Sequence, residues 1–130
     1  MSAAENGAKV IGIEMSQGLG GMGNAAQGMF AIDSVLQKEK YGDDLGSDQE
    51  YWFNHIYDRT QFLGNAQLIR TLVGESADTV QYVLDHDIAM FLSPQPQQIA
   101  HFDETIVYHR WNDTQPFVHM AEYLEKNAVD

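Results

Sequence analysis

The sequence predicts an α/β fold, mostly helical, in which one short strand feeds a glycine-rich turn. Three observations predict it. Residues 9–14 read Lys-Val-Ile-Gly-Ile-Glu, an apolar run closed by an acid. Residues 18–24 then place Gly18, Gly20, Gly21 and Gly23 within one short loop ending at Asn24. Beyond Asn24, apolar residues recur at three- and four-residue spacing in several separate stretches, the period of helices with one buried face. In a dinucleotide-binding layout, an acid ending the second strand accepts hydrogen bonds from an adenosine ribose. A glycine loop after it lets backbone N–H groups approach phosphate or a flavin edge, because no Cβ stands in the way.

The elements are expected as follows. Ala3 to Glu5 completes a helix that Asn6 and Gly7 turn into a strand over 8–14. After the loop 18–24, a helix is expected over 24–40 with Ala25, Ala26, Met29, Ile32, Val35 and Leu36 on its apolar face; Gly28 interrupts it, as if the backbone passes close to something. Residues 41–46 form a loop. Ser47 and Glu50 have the spacing of a capping box and open an aromatic helix bearing Tyr51, Trp52, Ile56 and Tyr57. Asn65 caps a further helix with Leu68, Ile69, Leu72 and Val73 on one face, which Gly74 breaks. Ser76 caps the next, carrying Val80, Val83 and Leu84, with Asp78 in the first turn where the macrodipole favours an acid. Residues 88–92 and 106–109 are candidate strands, 94–96 a loop, and a last helix starts at Thr114 and Pro116. Both ends of the chain stop at joints of a βα pattern, so a piece of a larger domain is expected, with a strand at 8–14, a glycine loop at 18–24 and a helical segment over 25–130.

Composition narrows the function classes. The chain has 130 residues, 44% hydrophobic and 11% aromatic, enough for one domain with a core. Its net charge of −12, with only 7 Lys and Arg, argues against nucleic acid or an anionic membrane as partner. With no cysteine, disulfides, thiolate-bound zinc and iron–sulfur clusters are excluded from this chain. No apolar run approaches the ~18 residues of a membrane span, and a cytoplasmic location is expected unless an export signal precedes this sequence.

Gly18, Gly20 and Gly23 also satisfy G-x-G-x-x-G, the primary dinucleotide fingerprint. That fingerprint needs its first glycine almost at the strand end, whereas residues 14–17 intervene here, and an acid at the mouth would repel pyrophosphate. No second strand ending in an acid follows at the spacing the mechanism demands. Glu14 as the ribose acid fits better.

These residues resemble a known family. Residues 6–14 resemble the second strand of the FAD-binding domain of fumarate reductase and succinate dehydrogenase flavoprotein subunits. Gly20 and Gly21, followed by residues 24–30, are similar to that family's double glycine and small-residue helix. Residues 65–70 and 75–84 resemble the helical pair before its substrate-binding cap, and 114–130 its helix leading back to the flavin domain. Three features depart from the pattern. The first strand and its Gly-rich turn have no counterpart in the sequence, Met15 stands where a basic residue is usual, and Asp87 stands where the family has Gly. The resemblance implies part of a Rossmann-like FAD-binding domain, from an oxidoreductase that passes hydride between flavin and a small dicarboxylate or enoate. It implies that Glu14 holds the ribose, that Gly20 and Gly21 lie along the pyrophosphate and ribityl chain, and that Met22, Gly23, Asn24 and Gly28 face the flavin. No residue here is implied as the catalytic proton donor, and the chain by itself is expected to be inactive.

The remaining chemistry-bearing residues have simpler readings. Tyr51, Trp52, Phe53 and Tyr57 are expected in core and lid packing. His119 and Glu122 are three apart on an expected helix, but no second such pair completes a metal site, so none is expected. Asp85, His86 and Asp87 read as a solvated helix end. Arg110, beside His109, is the best place for a carboxylate contact, most simply a structural ion pair. No Ser/His/Asp or Cys/His arrangement is legible. The competing class is a non-enzymatic, acidic, helical protein-interaction domain, suggested by the −12 charge and the run of helices.

Overall fold

The protein is described by a computed structural model, in which residues 2–15, 21–42, 49–93, 107–111 and 122 are described. The described residues form short helices and a small antiparallel sheet. In chain order they are α1 (Ser2–Glu5), a 3₁₀ turn (Gly21–Ala25), β1 (Gly28–Phe30), α2 (Val35–Tyr41), α3 (Gln49–Arg59), α4 (Ala66–Gly74), α5 (Ser76–Asp85), β2 (Met90–Leu92) and β3 (Tyr108–Trp111). The strands lie in the order β1-β3-β2. Gly28, Met29 and Phe30 face Arg110, His109 and Tyr108, while Met90, Phe91 and Leu92 face Trp111, Arg110 and His109.

Local chemistry explains most of the boundaries. Helix α1 closes as expected: Gly7 has φ +82°, its N–H donates to Ala4 C=O at 2.9 Å, and Ala8 N–H donates to Ala3 C=O at 3.0 Å, the paired bonds of a Schellman cap. Asn65 caps α4 as expected, its Oδ1 accepting from Leu68 N–H at 3.0 Å. The strands expected near 88–92 and 106–109 form as β2 and β3. At Asp87, where a glycine was the comparison, φ is +59°, a left-handed conformation that closes α5.

Three expectations are corrected. Residues 8–14 do not form a strand. They pair with no strand among the described residues, and Val10, Ile11 and Ile13 are exposed, Ile13 to 95%. A strand exists only through its ladder, and an apolar run without a neighbouring edge cannot make one. The helix expected over 24–40 divides into the 3₁₀ turn, β1 and α2. Its first half carries glycine where a helix is weakened, and Ser34 with Gln37 makes a complete capping box that starts α2 only at Val35. Ser76 does not cap α5 through its side chain; its buried hydroxyl donates to Val73 C=O at 2.9 Å and accepts from Ile32 N–H at 3.2 Å. The described part of the segment 25–130 therefore contains helix and sheet together. Residues 43–48, 94–106, 112–121 and 123–130, with the expected cap at Ser47, the loop at 94–96, the last helix and His119, lie outside the described residues.

Among the described residues, two apolar clusters make the core. One joins Ile32, Trp52, Phe53, Ile69, Val73 and Val107, with Phe30 and Tyr57 packed on it. The other joins Ala31, Val80, Val83, Ile88 and Met90, with Met29 and Trp111 against it. The aromatic residues of α3 serve as expected: Trp52 and Phe53 are buried, Trp52 meets Phe30 edge-on at 5.6 Å, and Tyr57 stacks on Phe53 at 5.5 Å, whereas Tyr51 stays exposed. Arg70 ties α4 to α3. Its guanidinium lies 3.8 Å over the Phe53 ring and donates to both Glu50 oxygens at 2.8 and 3.2 Å. Adjacent residues Ala31 and Ile32 enter different clusters, so the stretch between β1 and α2 fastens the two halves together. Ala31 N–H also donates to Val107 C=O at 2.9 Å.

Candidate functional site

The glycine loop is the site the sequence singles out, and its described part lies open. Gly21 opens the 3₁₀ turn with φ +49°, and a Cβ built there meets nothing within 4 Å. Met22 is 87% exposed and Gly23 half-buried. Asn24 lies in the turn; Gly20 and Gly18 lie outside the described residues. Glu14 is exposed and stands near the end of a segment without regular secondary structure.

Gly28 has a different purpose from the expected one. It does not face an open flavin site but sits in β1 opposite Arg110. A Cβ on Gly28 would fall inside the His109 carbonyl oxygen and 2.9 Å from Arg110 Cα. The close backbone approach inferred from this glycine is real, and its partner is β3. Only hydrogen fits there.

The structure also joins two residues whose relation was not legible in the sequence. Ser34 and His109 are both fully enclosed, and Ser34 Oγ lies 2.6 Å from His109 Nε2. His109 Nδ1 faces the Val107 carbonyl at 3.3 Å. A carbonyl only accepts, so the imidazole proton sits on Nδ1 and Nε2 accepts from the Ser34 hydroxyl. Ser34 Oγ in turn accepts from Gln37 N–H at 3.2 Å, while Ser34 N–H donates to Gln37 Oε1 at 3.0 Å. Burial pushes the His109 pKa down, opposed by its bond to Val107. A hydroxyl on a neutral imidazole has the makings of a nucleophile and base. Here it has no access to solvent and is engaged in starting α2. The pair holds β3 to α2.

Arg110 forms no ion pair among the described residues. Its Cζ lies 6.0 Å from the Phe91 ring, and its buried Nε meets no hydrogen-bond partner among them. His86 is corrected as well: it is only 8% exposed and is engaged by Glu5 and Tyr82 rather than solvated. The described residues contain no group of three or more metal-ligating side chains, and no helix among them is long and apolar enough to cross a membrane.

Comparison with known proteins corrects the family resemblance. The chain is similar to Vinyl phenol reductase of Lactiplantibacillus plantarum, 30% identical over 88 residues. The match covers 68% of this chain and 17% of that protein, so it spans under a fifth of the relative's length. No protein-family profile matches, and no solved structure does. The similarity found is thus to a reductase, and the resemblance to fumarate reductase and succinate dehydrogenase flavoproteins is not upheld. The short glycine and small-residue motifs that suggested it carry too little information to separate one reductase from another.

Proposed function

We propose that this chain is part of a flavin-dependent reductase that saturates the vinyl carbon–carbon double bond of a phenol-bearing substrate, and that residues 14–24 lie along its flavin. The similarity to Vinyl phenol reductase carries the reductase part of this reading, and the flavin rests on the acid and glycine loop of residues 14–24. The open loop supports the position. Gly21 has the positive φ and free surroundings of a backbone that a cofactor can approach, with Gly23 beside it. Glu14, exposed on the segment leading to the loop, is the acceptor for ribose hydroxyls. Gly28 does not fit and is left out of the site, because β3 occupies its open side. FAD, when bound, supplies the hydride chemistry; these residues bind and orient it.

The test is titration of the purified chain with FAD, followed by flavin fluorescence. The expected Kd lies between about 1 μM and 1 mM, because only the loop and Glu14 are offered to the cofactor. Gly21→Val should abolish the response, since a β-branched residue resists φ +49° and fills the approach. Glu14→Gln should weaken it less, because the amide oxygen still accepts one hydroxyl; the loss is about 1.5–3 kcal/mol at most. No response to FAD, with a sharp two-state melt of the chain, would favour the acidic helical interaction domain instead. The exposed Leu63, Leu68 and Leu72 would then belong to its binding face.

A further inference from the structure

Helix α1 is four residues long and buries none of them. A helix of that length does not persist in water on its own. It is held by Glu5, whose two oxygens reach across to α5. Glu5 Oε2 accepts from the Tyr82 hydroxyl at 3.0 Å, and Glu5 Oε1 meets His86 Nε2. On its other side, His86 Nδ1 lies 2.6 Å from the Tyr82 carbonyl, and the His86 and Tyr82 rings are 4.2 Å apart.

Both imidazole nitrogens therefore face oxygens that only accept. A neutral histidine satisfies one of them; the imidazolium, with two N–H donors, satisfies both. The location favours the cation further. His86 is the C-cap of α5, where the helix dipole presents its negative end, and Asp85 lies on the same helix.

We propose that Glu5, His86 and Tyr82 form a protonation-controlled latch that holds α1 against the C-terminal end of α5, tethering the residues 8–15 that follow α1, and that loss of the His86 proton opens it. Among the described residues, the charged groups facing His86 are Glu5 from α1 and Asp85 from its own helix. The bond to Glu5 raises the His86 pKa first, then the Tyr82 carbonyl, against the opposing effect of burial. The bond to His86 lowers the Glu5 pKa. The signs define a window. The His86 contribution is complete below the ordinary imidazole value and is lost as pH rises through the raised folded value. The Glu5 contribution is present above the ordinary carboxyl value and is lost as pH falls through the lowered folded value. Between them the latch is closed.

Closing matters because residues 8–15 carry Glu14 and the exposed Ile11, Ile13 and Met15. An open latch removes the tie that the Glu5 side chain gives α1 and, through α1, that segment. The latch stands on contacts of α1 and α5 alone, so it holds or fails independently of the reductase reading.

The test follows the His86 imidazole by NMR from acid to alkaline pH, together with hydrogen exchange at the Gly7 and Ala8 amides. Those amides donate to Ala4 and Ala3 carbonyls only while α1 is formed. The expected midpoint of His86 lies above the ordinary ~6.5. The protection factors of Gly7 and Ala8, corrected for intrinsic exchange, should fall by about tenfold as pH crosses that midpoint. The Ile69 amide of α4, bonded to Asn65 C=O, should stay protected and shows that the body remains folded. Glu5→Gln should bring the His86 midpoint down toward its ordinary value and leave Gly7 and Ala8 weakly protected throughout. A wild-type midpoint at or below the ordinary value, or protection at Gly7 and Ala8 that is unchanged across the midpoint, would overturn the latch.

Discussion

Gly28→Ala is expected to destabilise the protein by about 3 kcal/mol, a lowering of the thermal midpoint on the order of 10 °C. The added methyl enters the space of the His109 carbonyl oxygen and crowds Arg110 Cα, both backbone atoms of the central strand β3. Neither can move aside as a flexible side chain would. Relief requires β1 to separate from β3, which also pulls on Ala31, whose N–H is bonded to Val107. Gly21→Ala makes the contrast. Its methyl meets open space, and the cost is only the left-handed backbone conformation, about 1–2 kcal/mol. Thermal unfolding followed by circular dichroism distinguishes the two; equal, small effects would mean that β1 does not lie against β3 as described.

Ser34→Ala is expected to cost about 3 kcal/mol, combining a lost helix N-cap with a buried imidazole nitrogen left without its donor. The same site has a pH signature. Burial lowers the folded pKa of His109, so the unfolded chain binds more protons than the folded one between the two values. Stability due to His109 is therefore full above the ordinary imidazole value and is lost as pH falls through the lowered one. His86 acts with the opposite sign, so the His109 contribution is read from the difference between wild type and His109→Phe in urea unfolding at several pH values. The difference should shrink toward acid pH. A difference independent of pH would mean that His109 is not buried as the neutral form.

Local signals were legible in the sequence where they were sufficient in themselves. Asn65 before an amphipathic run gave α4, and the Asn6–Gly7 pair gave the cap of α1. Trp52 and Phe53 were recognisable as core because their helix places them on one face. The failures share a cause. Apolar residues between 25 and 36 fall at helical spacing, yet they supply β1, the crossing into two clusters, and the start of α2. Ser34 and Gln37 were a readable start signal, outweighed by that spacing. Residues 9–14 have a strand's composition, but composition does not provide an adjacent edge. Ser34 with His109, and Glu5 with His86, are separated by 75 and 81 positions; one sequence alone has no local pattern for such pairs. In the candidate site, Gly28 was correctly read as a close approach and assigned the wrong neighbour, since glycine reports that something is near without saying what.

Contact between residues 14–24 and a flavin is read from backbone amide NMR of the chain during addition of FAD. Shifts are expected to concentrate at Glu14, Gly21, Met22 and Gly23, with Gly28 and the buried residues around Val80 and Trp52 little changed. Shifts that leave the loop untouched and gather elsewhere, or spectra that do not respond to FAD at all, would contradict it.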